Sequence, residues 1–553
     1  MYWTLIQTFL GGILTGLAVE PFGWWWLAWV GLVPLWWQVQ SDRRYGQLGD
    51  LPSAAIVGLS WGVGFDGFVL HWILGIHPLT WMGVPWLQSI AIALFCWVAI
   101  TLVGASPIVL WAIAMRWLDR WTAQRMTGSI ADLWLVLAGA GLWSIVETLL
   151  SQGSLWWPWL SLTQSPHNLV ILQLDRLSGP TVTSAAIVAV NGLLALGWRS
   201  KSGFGSLEPD ARRKRRRWPY LASAIGLGIA LHGLGWVMLD RDLLTTQSAT
   251  AAAKPFTVGL IQGNIPNEIK LYPGGIRQAL LKYRDGYLAL TEEPHTVDVV
   301  LTPETALPLL WSGRRDGYSP EGLLGQAIVD RGVPIWLGTI QGTPRVYTNS
   351  LLTVSGTLET LSRYDKVRLV PLGEYIPFTS ILGRVIDLLS PLEAQIAFGD
   401  RDQIFDTPFG RAAVAICYES AFPEVLRRQV AAGAQFALSA ANNAHYASTM
   451  PSQHHAQDVM RSIELDRPMA RATNTGYSAI VDHHGRTLWK SGINDYEIHS
   501  ASLTPRTTIT PYVRWGNWLA PVSAIAIVLG CGVMLAIDEL PQAIDQADQD
   551  DWG

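Results

Sequence analysis

The segment Val414-Ala415-Ile416-Cys417-Tyr418-Glu419 is a short apolar run that ends in a thiol and a carboxylate. Apolar runs of this length, bounded by polar residues, are typical of buried strands. A strand that ends at Cys417 and Glu419 delivers two reactive groups to one place. The chain has three cysteines, and Cys417 is the only one outside a long apolar stretch. It is therefore the single candidate for a thiol nucleophile.

Two further segments place reactive side chains beside strand-like runs. In Val299-Val300-Leu301-Thr302-Pro303-Glu304, Pro303 stops the strand and a carboxylate follows. Lys366 lies in Tyr364-Asp365-Lys366-Val367-Arg368, shortly before Pro371-Leu372-Gly373-Glu374-Tyr375. Taken singly, such residues are more often a solvated strand end, an exposed lysine or a core cysteine. Together they supply a base, a cation and a nucleophile, the minimum set for acyl transfer through a thioester.

These three segments lie in a region, residues 240–517, that is richer in charge and turn residues than the rest of the chain. Strand-like runs alternate there with helix-like runs, a pattern that predicts an α/β or layered α+β domain. The predicted strands are Thr257–Ile261, Val297–Leu301, Pro334–Gly338, Ser350–Val354, Ala412–Cys417 and Phe436–Ser439. The predicted helices are Ile276–Thr291, Leu323–Val329, Glu424–Ala432 and His455–Asp466.

The remainder of the chain is apolar. Half of all residues are hydrophobic, 15% are charged and 29 are tryptophan, whereas an ordinary soluble domain has about 25% charged residues. Apolar runs near the length of a membrane span, roughly 20 residues, predict about eight spans, with seven as the alternative count. The runs are Thr4–Val19, Trp24–Val39, Ala54–Ile76, Ile90–Trp117, Leu133–Leu150, Thr183–Trp198, Trp218–Leu239 and Trp518–Ile537.

This pattern predicts four regions. Residues 1–239 hold spans one to seven, residues 240–517 form the catalytic domain, residues 518–537 form the eighth span, and residues 538–553 form an acidic tail. Positive residues mark cytoplasmic loops. They concentrate in alternate loops, and the basic run directly precedes the seventh span, so we expect both termini in the cytoplasm and the catalytic domain on the outer, periplasmic face. The positively charged residues of the predicted cytoplasmic loops are Arg43, Arg44, Arg120, Arg125, Arg199, Lys201 and Arg212–Arg217.

Two acidic residues, Asp66 and Glu147, fall in or near predicted spans. A carboxylate is costly in lipid, so we expect both to face protein, water or a head group.

The odd, sparse cysteine count excludes a disulfide framework, and no Cys/His cluster has zinc-site spacing. We expect no metal and no cofactor. The net charge of −4 gives no reason to expect nucleic acid as a partner.

The order Glu304, Lys366, Cys417 with these flanks resembles the nitrilase, or carbon-nitrogen hydrolase, superfamily. The closer resemblance is to the apolipoprotein N-acyltransferase family, and it extends over nearly the whole chain. Further stretches carry it: Gln262-Gly263-Asn264-Ile265-Pro266, Thr302-Pro303-Glu304-Thr305, Lys366 through Glu374-Tyr375-Ile376-Pro377, Gln453-His454, Arg467-Pro468 and Arg471-Ala472-Thr473-Asn474-Thr475-Gly476.

The resemblance implies an α-β-β-α sandwich beside the polytopic helical membrane domain. It implies a ping-pong acyl transfer from a phospholipid to a diacylated apolipoprotein at the bacterial inner membrane. Glu304 is then the general base, Cys417 the nucleophile, and Lys366 the cation that favours the thiolate and faces the oxyanion. The resemblance gives supporting roles to Glu374, Tyr418, Glu419 and Asn349.

The sequence departs from the family pattern at several positions. A stretch that resembles Asn-Asp-Ala-Trp in the family reads Asn442-Asn443-Ala444-His445 here. A tryptophan and an arginine of the family are replaced by Leu271 and Val459. None of the replaced residues is Glu304, Lys366 or Cys417, so the departures bear on substrate loops and acyl preference more than on the class of reaction.

Two other functions fit parts of this pattern. A membrane-tethered nitrilase-like amidase would use the same three residues with water as the acceptor, although a soluble amide needs no access to lipid. A non-enzymatic membrane scaffold with a decayed catalytic domain would not need Glu304, Lys366 and Cys417 together. We expect acyl transfer, and we expect the side chains of Lys366 and Cys417 to lie within a few ångströms of Glu304.

Overall fold

A computed structural model describes residues 2–40, 50–157, 159–199, 211–241, 254–293, 297–313, 320–343, 345–371, 373–375, 395–444, 446 and 448–550. Several residues named above lie outside these ranges: Arg43, Arg44, Lys201, Ile376, Pro377 and His445.

The first half of the chain is helical. Its α-helices are Tyr2–Gly16, Ala28–Gly31, Val33–Gln40, Asp50–Val69, Trp86–Ala123, Ser129–Leu150, Leu169–Leu172, Asp175–Ser178, Thr181–Arg199 and Ala211–Arg241. The catalytic region contributes Asn267–Lys270, Pro273–Leu290, Pro320–Arg331, Pro423–Ala431, Thr449–Leu465 and Pro511–Trp515, and the chain ends in Leu519–Asp550.

Five of the described helices are long and apolar enough to cross a membrane, and they coincide with the fourth to eighth predicted runs. The fourth is one helix, Trp86–Ala123, that continues through Pro107. The first three runs are also largely helical, in shorter or less apolar segments. The number of spans, eight or seven, stays a prediction.

The acidic residues of the membrane part are inside the protein, as expected. Asp66 and Glu147 are both buried. Glu147 Oε1 accepts a hydrogen bond from the Leu160 N–H at 2.9 Å, so this carboxylate holds the loop that follows its own helix.

The strands form two sheets. One has eight strands, with the path β14-β1-β2-β4-β5-β6 and with β3 and β7 attached at its side; the other has the order β13-β12-β11-β10-β9-β8. The strands are β1 Phe256–Gln262, β2 Val299–Leu301, β3 Leu307–Leu310, β4 Ile335–Gly342, β5 Val346–Val354, β6 Thr360–Asp365, β7 Gln395–Ile396, β8 Phe405–Thr407, β9 Gly410–Ile416, β10 Phe436–Ala441, β11 Met469–Thr473, β12 Ala479–Val481, β13 Thr487–Lys490 and β14 Glu497–Leu503.

Apolar side chains join these elements into four layers. Residues from both sheets, such as Leu260 and Val414, share one buried cluster. The outer face of the eight-stranded sheet packs on the helices Pro273–Leu290 and Pro320–Arg331. The other sheet packs on Pro423–Ala431 and Thr449–Leu465 within a cluster that continues into the membrane part. The predicted α-β-β-α sandwich beside a helical membrane region is confirmed.

Polar contacts also join the catalytic region to the membrane part. Gln453 Nε2 donates to the carbonyls of Glu20 (3.1 Å) and Val69 (3.0 Å), while Gln453 Oε1 accepts from the indoles of Trp72 and Trp157. Because Gln453 lies on the helix beside the catalytic strands, these bonds fix the catalytic region against the membrane part near the end of the helix Asp50–Val69.

Candidate active site

Strand ends bring the predicted residues together. Lys366 directly follows β6, Cys417 directly follows β9, and Glu304 lies three residues beyond β2. β2 and β6 belong to one sheet and β9 to the other. Because the two sheets pack face to face, strand ends from both can meet at one edge of the sandwich.

The Glu304 carboxylate lies at the centre of this cluster. Its Oε1 accepts hydrogen bonds from Lys366 Nζ at 2.8 Å and from Asn349 Nδ2 at 2.7 Å. Its Oε2 accepts from the Asn442 backbone N–H at 2.9 Å. A carboxylate fixed by three donors from three elements has a single orientation and cannot turn away from the site.

Lys366 also contacts a second carboxylate, that of Glu374. Its Nζ donates to Glu374 Oε1 at 2.9 Å, and Asn349 Nδ2 reaches the same oxygen at 3.3 Å. The Lys366 side chain is almost fully buried. The Lys366 ammonium therefore lies between the two carboxylates of Glu304 and Glu374, whose combined negative charge exceeds its own and holds it at the site.

Cys417 occupies a strained position. Its φ is +53°, in the left-handed region that side chains with a Cβ rarely adopt; such a conformation costs roughly 1–3 kcal/mol. The Sγ atom lies 4.0 Å from the Asn442 carbonyl oxygen, and the N–H of the same Asn442 contacts Glu304. The nucleophile candidate and the base candidate thus share one backbone neighbour.

The charges of this cluster define its resting state. Burial opposes ionisation of Glu304, yet Lys366 and then Lys270 outweigh it and hold the pKa of Glu304 below its ordinary value. Burial, and then the charge of Glu304, raise the pKa of the Cys417 thiol to about 12 although Lys366 lowers it. The expectation that Lys366 favours the thiolate is right in sign, but burial and Glu304 prevail, so the resting cysteine is a thiol.

Glu419 connects the two sheets. Its Oε2 accepts from the Ile416 N–H at 2.7 Å, and its Oε1 accepts from the N–H groups of Val367 (2.6 Å) and Arg368 (3.0 Å). It therefore ties the end of β9, just before Cys417, to the loop that starts at Lys366. The supporting position predicted for Glu419 is one of holding these two segments together.

Tyr418 faces away from the charged cluster. Its hydroxyl lies 2.7 Å from the Ser154 carbonyl oxygen and accepts from the Trp156 N–H at 3.1 Å. Its ring stacks on Trp157, with 6.2 Å between ring centroids and 6° between planes. The residue next to the nucleophile candidate is thus docked on a loop of the membrane part.

A histidine that carried no predicted role contacts the cysteine. His454 Nε2 donates to the Cys417 carbonyl at 2.9 Å, and Asn443 Nδ2 donates to His454 Nδ1 at 3.1 Å. Arg471 contacts the Asn443 Oδ1 at 3.3 Å and is ion-paired with Asp458. Burial lowers the pKa of His454 to about 3, so the ring is neutral and its tautomer is fixed by Asn443.

A second buried lysine was also missed as a site residue. Lys270 Nζ donates to the Glu304 carbonyl oxygen at 3.2 Å, and burial lowers its pKa to about 8. Its place at the end of the short helix Asn267–Lys270 offered no chemical signal, because a lone lysine usually faces solvent. Asn443, one of the residues that departs from the family pattern, contacts His454 and directly follows Asn442, whose N–H contacts Glu304.

Two cavities are lined by residues that neighbour the cluster in sequence. One, of about 280 Å³, is lined mainly by apolar side chains of the membrane helices, together with Asp66 and Glu147, and it reaches Tyr375 next to Glu374. The other, of about 220 Å³, lies beside Tyr418. Among the described residues no group of three or more His, Cys, Asp or Glu side chains could hold a metal ion.

Comparison with known proteins agrees with this architecture. The carbon-nitrogen hydrolase family matches residues 257–509, and the apolipoprotein N-acyltransferase N-terminal domain matches residues 11–193. The fold is therefore that of a carbon-nitrogen hydrolase joined to a helical membrane region.

Full-length relatives define the family further. A protein of Nostoc sp. described as apolipoprotein N-acyltransferase is 48% identical over 92% of this chain and 95% of its own length. One of Synechocystis sp. with the same description is 46% identical over 92% of this chain and 98% of its own length. The chain belongs to the apolipoprotein N-acyltransferase family.

An amidase from Nesterenkonia sp. is among the solved structures found by comparison. It is 19% identical, with a TM-score of 0.34, over 47% of this chain and 95% of the amidase. The same amidase after removal of its His-tag gives 19% identity and a TM-score of 0.35.

Proposed function

We propose that this chain transfers a fatty acyl group from a membrane phospholipid to the α-amine of the diacylglyceryl-cysteine that begins an apolipoprotein, through a thioester on Cys417. The observation that carries the proposal is the cluster of Glu304, Lys366 and Cys417, together with a cavity between the membrane helices that reaches Tyr375, the residue after Glu374. Membership of the apolipoprotein N-acyltransferase family supports the same activity.

The first half-reaction acylates the enzyme. Glu304, ionised at rest, takes the proton of the Cys417 thiol as Sγ attacks the ester carbonyl of the phospholipid. The carbonyl oxygen becomes an oxyanion, and the Lys366 ammonium lies in position to stabilise it. When the carbon–oxygen bond breaks, the departing alkoxide takes the proton back from Glu304 and leaves as a lysophospholipid. Glu304 is then ionised again beside a Cys417 thioester.

The second half-reaction forms the amide. The α-amine of the acceptor attacks the thioester carbonyl, and Glu304 removes a proton from the nitrogen. The carbon–sulfur bond breaks, and the proton returns to the sulfur, which restores the thiol. The high pKa of Cys417 at rest does not prevent catalysis, because proton transfer to Glu304 accompanies attack and no free thiolate has to accumulate.

Attachment to the membrane removes an energetic obstacle. Withdrawing a buried acyl chain into water costs about 0.8 kcal/mol per methylene, roughly 12 kcal/mol for a chain of about fifteen methylenes. The cavity between the membrane helices and Tyr375 is lined mainly by apolar side chains. The tail can stay in lipid while only the ester approaches Cys417.

The topology belongs to the same proposal. Residues 240–517 lie on the periplasmic face of the inner membrane, between spans seven and eight, with both termini in the cytoplasm. Reporter fusions at the 240–250 segment and at the C-terminus test this directly. A periplasmic reporter active at the first position and inactive at the second is expected; the reverse pattern contradicts the proposal.

Donor choice separates acyl transfer from amide hydrolysis. The purified full-length enzyme in mixed micelles is given either a phospholipid with a diacylated lipopeptide acceptor, or small aliphatic amides. We expect acylated lipopeptide and lysophospholipid in equal amounts, and no measurable turnover of the amides. Hydrolysis of amides without acyl transfer would instead establish the tethered amidase.

A further inference from the structure

The smaller cavity lies between the nucleophile candidate and the membrane part. It is lined by Tyr418, by Ser154 of the membrane-side loop, by Tyr375, and by two arginines, Arg368 and Arg401. Tyr418 is bonded to Ser154 and immediately follows Cys417. A group bound here would lie beside the residues that directly follow Lys366 and Cys417, and beside a loop of the membrane part.

The two arginines are short of negative partners. Arg368 Nη1 donates to the Gln152 carbonyl at 3.2 Å, and its guanidinium lies 4.7 Å from the centroid of the Phe422 ring. Glu419 is near, but it contacts the backbone N–H of Arg368. Within the part of the chain that the structure describes, neither Arg368 nor Arg401 forms an ion pair with a carboxylate.

Their proximity is unfavourable unless an anion is present. Burial, and next the charge of Arg401, lower the pKa of Arg368. An anion between two guanidinium groups replaces their repulsion by attraction. Guanidinium presents donors in a planar fork that matches the oxygens of a phosphate.

We infer that Arg368 and Arg401 bind the phosphate of the acyl-donor phospholipid. The inference rests on the proposed function and adds a subsite to it. In a phospholipid the phosphate is joined to the same glycerol as the acyl esters, so a phosphate held beside Tyr418 brings an ester to the neighbouring Cys417. The diacylglyceryl-cysteine acceptor carries no phosphate. The arginines therefore act in the acylation of Cys417 and not in transfer to the amine.

The experiment measures the two half-reactions separately in the full-length enzyme. Arg401→Gln, Arg368→Gln and the double variant are compared with Arg331→Gln, an exposed arginine at the end of the helix Pro320–Arg331 on the far layer of the sandwich. Acylation of Cys417 is followed with phosphatidylethanolamine in neutral detergent micelles. A p-nitrophenyl fatty ester is the phosphate-free donor.

With phosphatidylethanolamine we expect kcat/KM for acylation to fall about tenfold in Arg401→Gln and ~10²-fold in the double variant, the range for charge-assisted bonds to phosphate. With the phosphate-free ester all variants should match the wild type. The rate of transfer from the preformed thioester to a diacylated lipopeptide should also be unchanged. Arg331→Gln should match the wild type in every assay. Arg401→Gln is the cleaner variant, because Arg368 also packs on Phe422.

Three results would overturn the inference. The first is equal loss with both donors, which would make the arginines structural. The second is no loss with phosphatidylethanolamine. The third is a loss that appears only after an anionic lipid is added to the micelles, which would assign the arginines to attraction by the membrane surface. Failure of the proposed function is distinguishable, because the wild type would then form no thioester with either donor.

Discussion

The two sides of Cys417 are built differently. On one, the charged side, Glu304, Lys366 and Glu374 bring three ionisable groups to the sulfur from the eight-stranded sheet and its loops. On the other, the histidine side, His454 contacts the Cys417 carbonyl through a neutral ring held by Asn443. The charged side has the groups that can move protons, whereas the histidine side has a donor that can only hold the backbone.

This difference follows from electrostatics. The ion pairs of the charged side keep Glu304 ionised, as a base must be. On the histidine side, burial keeps His454 neutral. Cys417 has φ +53°, and its carbonyl accepts from His454 the hydrogen bond that a neighbouring strand gives to a residue of a regular strand. Changes on the two sides should therefore differ in size and in kind.

The largest effect is expected on the charged side. Glu304→Gln keeps the shape of the side chain but removes the base and the partner of Lys366, so kcat for acyl transfer should fall by ~10³-fold. This kcat is measured as the rate at which a labelled acyl chain is transferred to a diacylated lipopeptide. Cys531→Ala, a thiol in the last membrane helix, is the matched control and should keep wild-type activity. A Glu304→Gln enzyme with more than a tenth of the wild-type rate would contradict the assignment.

The histidine side should give a smaller loss. His454→Leu leaves the Cys417 carbonyl without its donor, and the resulting displacement of Sγ should lower kcat by ~10- to 10²-fold with little change in KM. His454→Gln offers an amide donor at a similar reach and should recover much of the rate. If Gln and Leu behave alike while both fold, the hydrogen bond does not position the cysteine.

Tyr418 tests the contact with the membrane part. Tyr418→Phe keeps the stacking on Trp157 but removes the hydroxyl bonded to Ser154 and Trp156. A net loss of about 1 kcal/mol for the hydroxyl corresponds to roughly fivefold lower kcat/KM with phospholipid, and we expect unchanged activity with a soluble ester. An equal loss with both donors would show that the hydroxyl acts on the cysteine itself.

The pH profile should show no effect from His454. A ring with a pKa of about 3 stays neutral between pH 5 and 8, so its charge does not change in that range. The acylation rates of the wild type and His454→Gln should therefore have parallel pH profiles. A step near pH 6.5 that is present in the wild type and absent in His454→Gln would mean that the histidine titrates and acts as a base.

The sequence predicted the charged side best where its residues follow recognisable strands. β1, β2, β4, β5, β9 and β10 are all present where apolar runs predicted them, and so are the four predicted helices of the catalytic region. Lys366 Nζ lies 2.8 Å from Glu304 Oε1, within the few ångströms expected. Glu304 and Cys417 each come just after an apolar run, whereas Lys366 follows β6, a largely polar strand that the apolar runs did not predict.

The histidine side was not predictable in the same way. Gln453-His454 was recognised only as a family-like stretch: a helix was predicted from His455 onward, but this helix is buried almost throughout, and no local pattern singled out His454. The contact of His454 with Cys417 joins residues 37 apart in sequence. Strands β11 to β14 are short or carry polar and charged residues, so hydrophobic runs alone did not reveal them.

The state of the thiol also depends on three-dimensional packing. The sequence shows a lysine and a cysteine in the same region, from which an activated thiolate is a natural expectation. The structure adds full burial of Cys417 and the nearby charge of Glu304, both of which favour the protonated form. The sign of each pairwise effect can be read from residue types, but the net result depends on their distances and burial.

Mass spectrometry of the Cys417 peptide tests the central claim most directly. Full-length enzyme is incubated with a phospholipid of defined acyl chains, digested under acidic conditions and compared with Cys417→Ser. We predict that one acyl group is attached to Cys417, that hydroxylamine removes it, and that it disappears when a diacylated lipopeptide is added. Acylated lipopeptide formed at the wild-type rate by Cys417→Ser, or an acyl group attached at a different residue, would contradict the account.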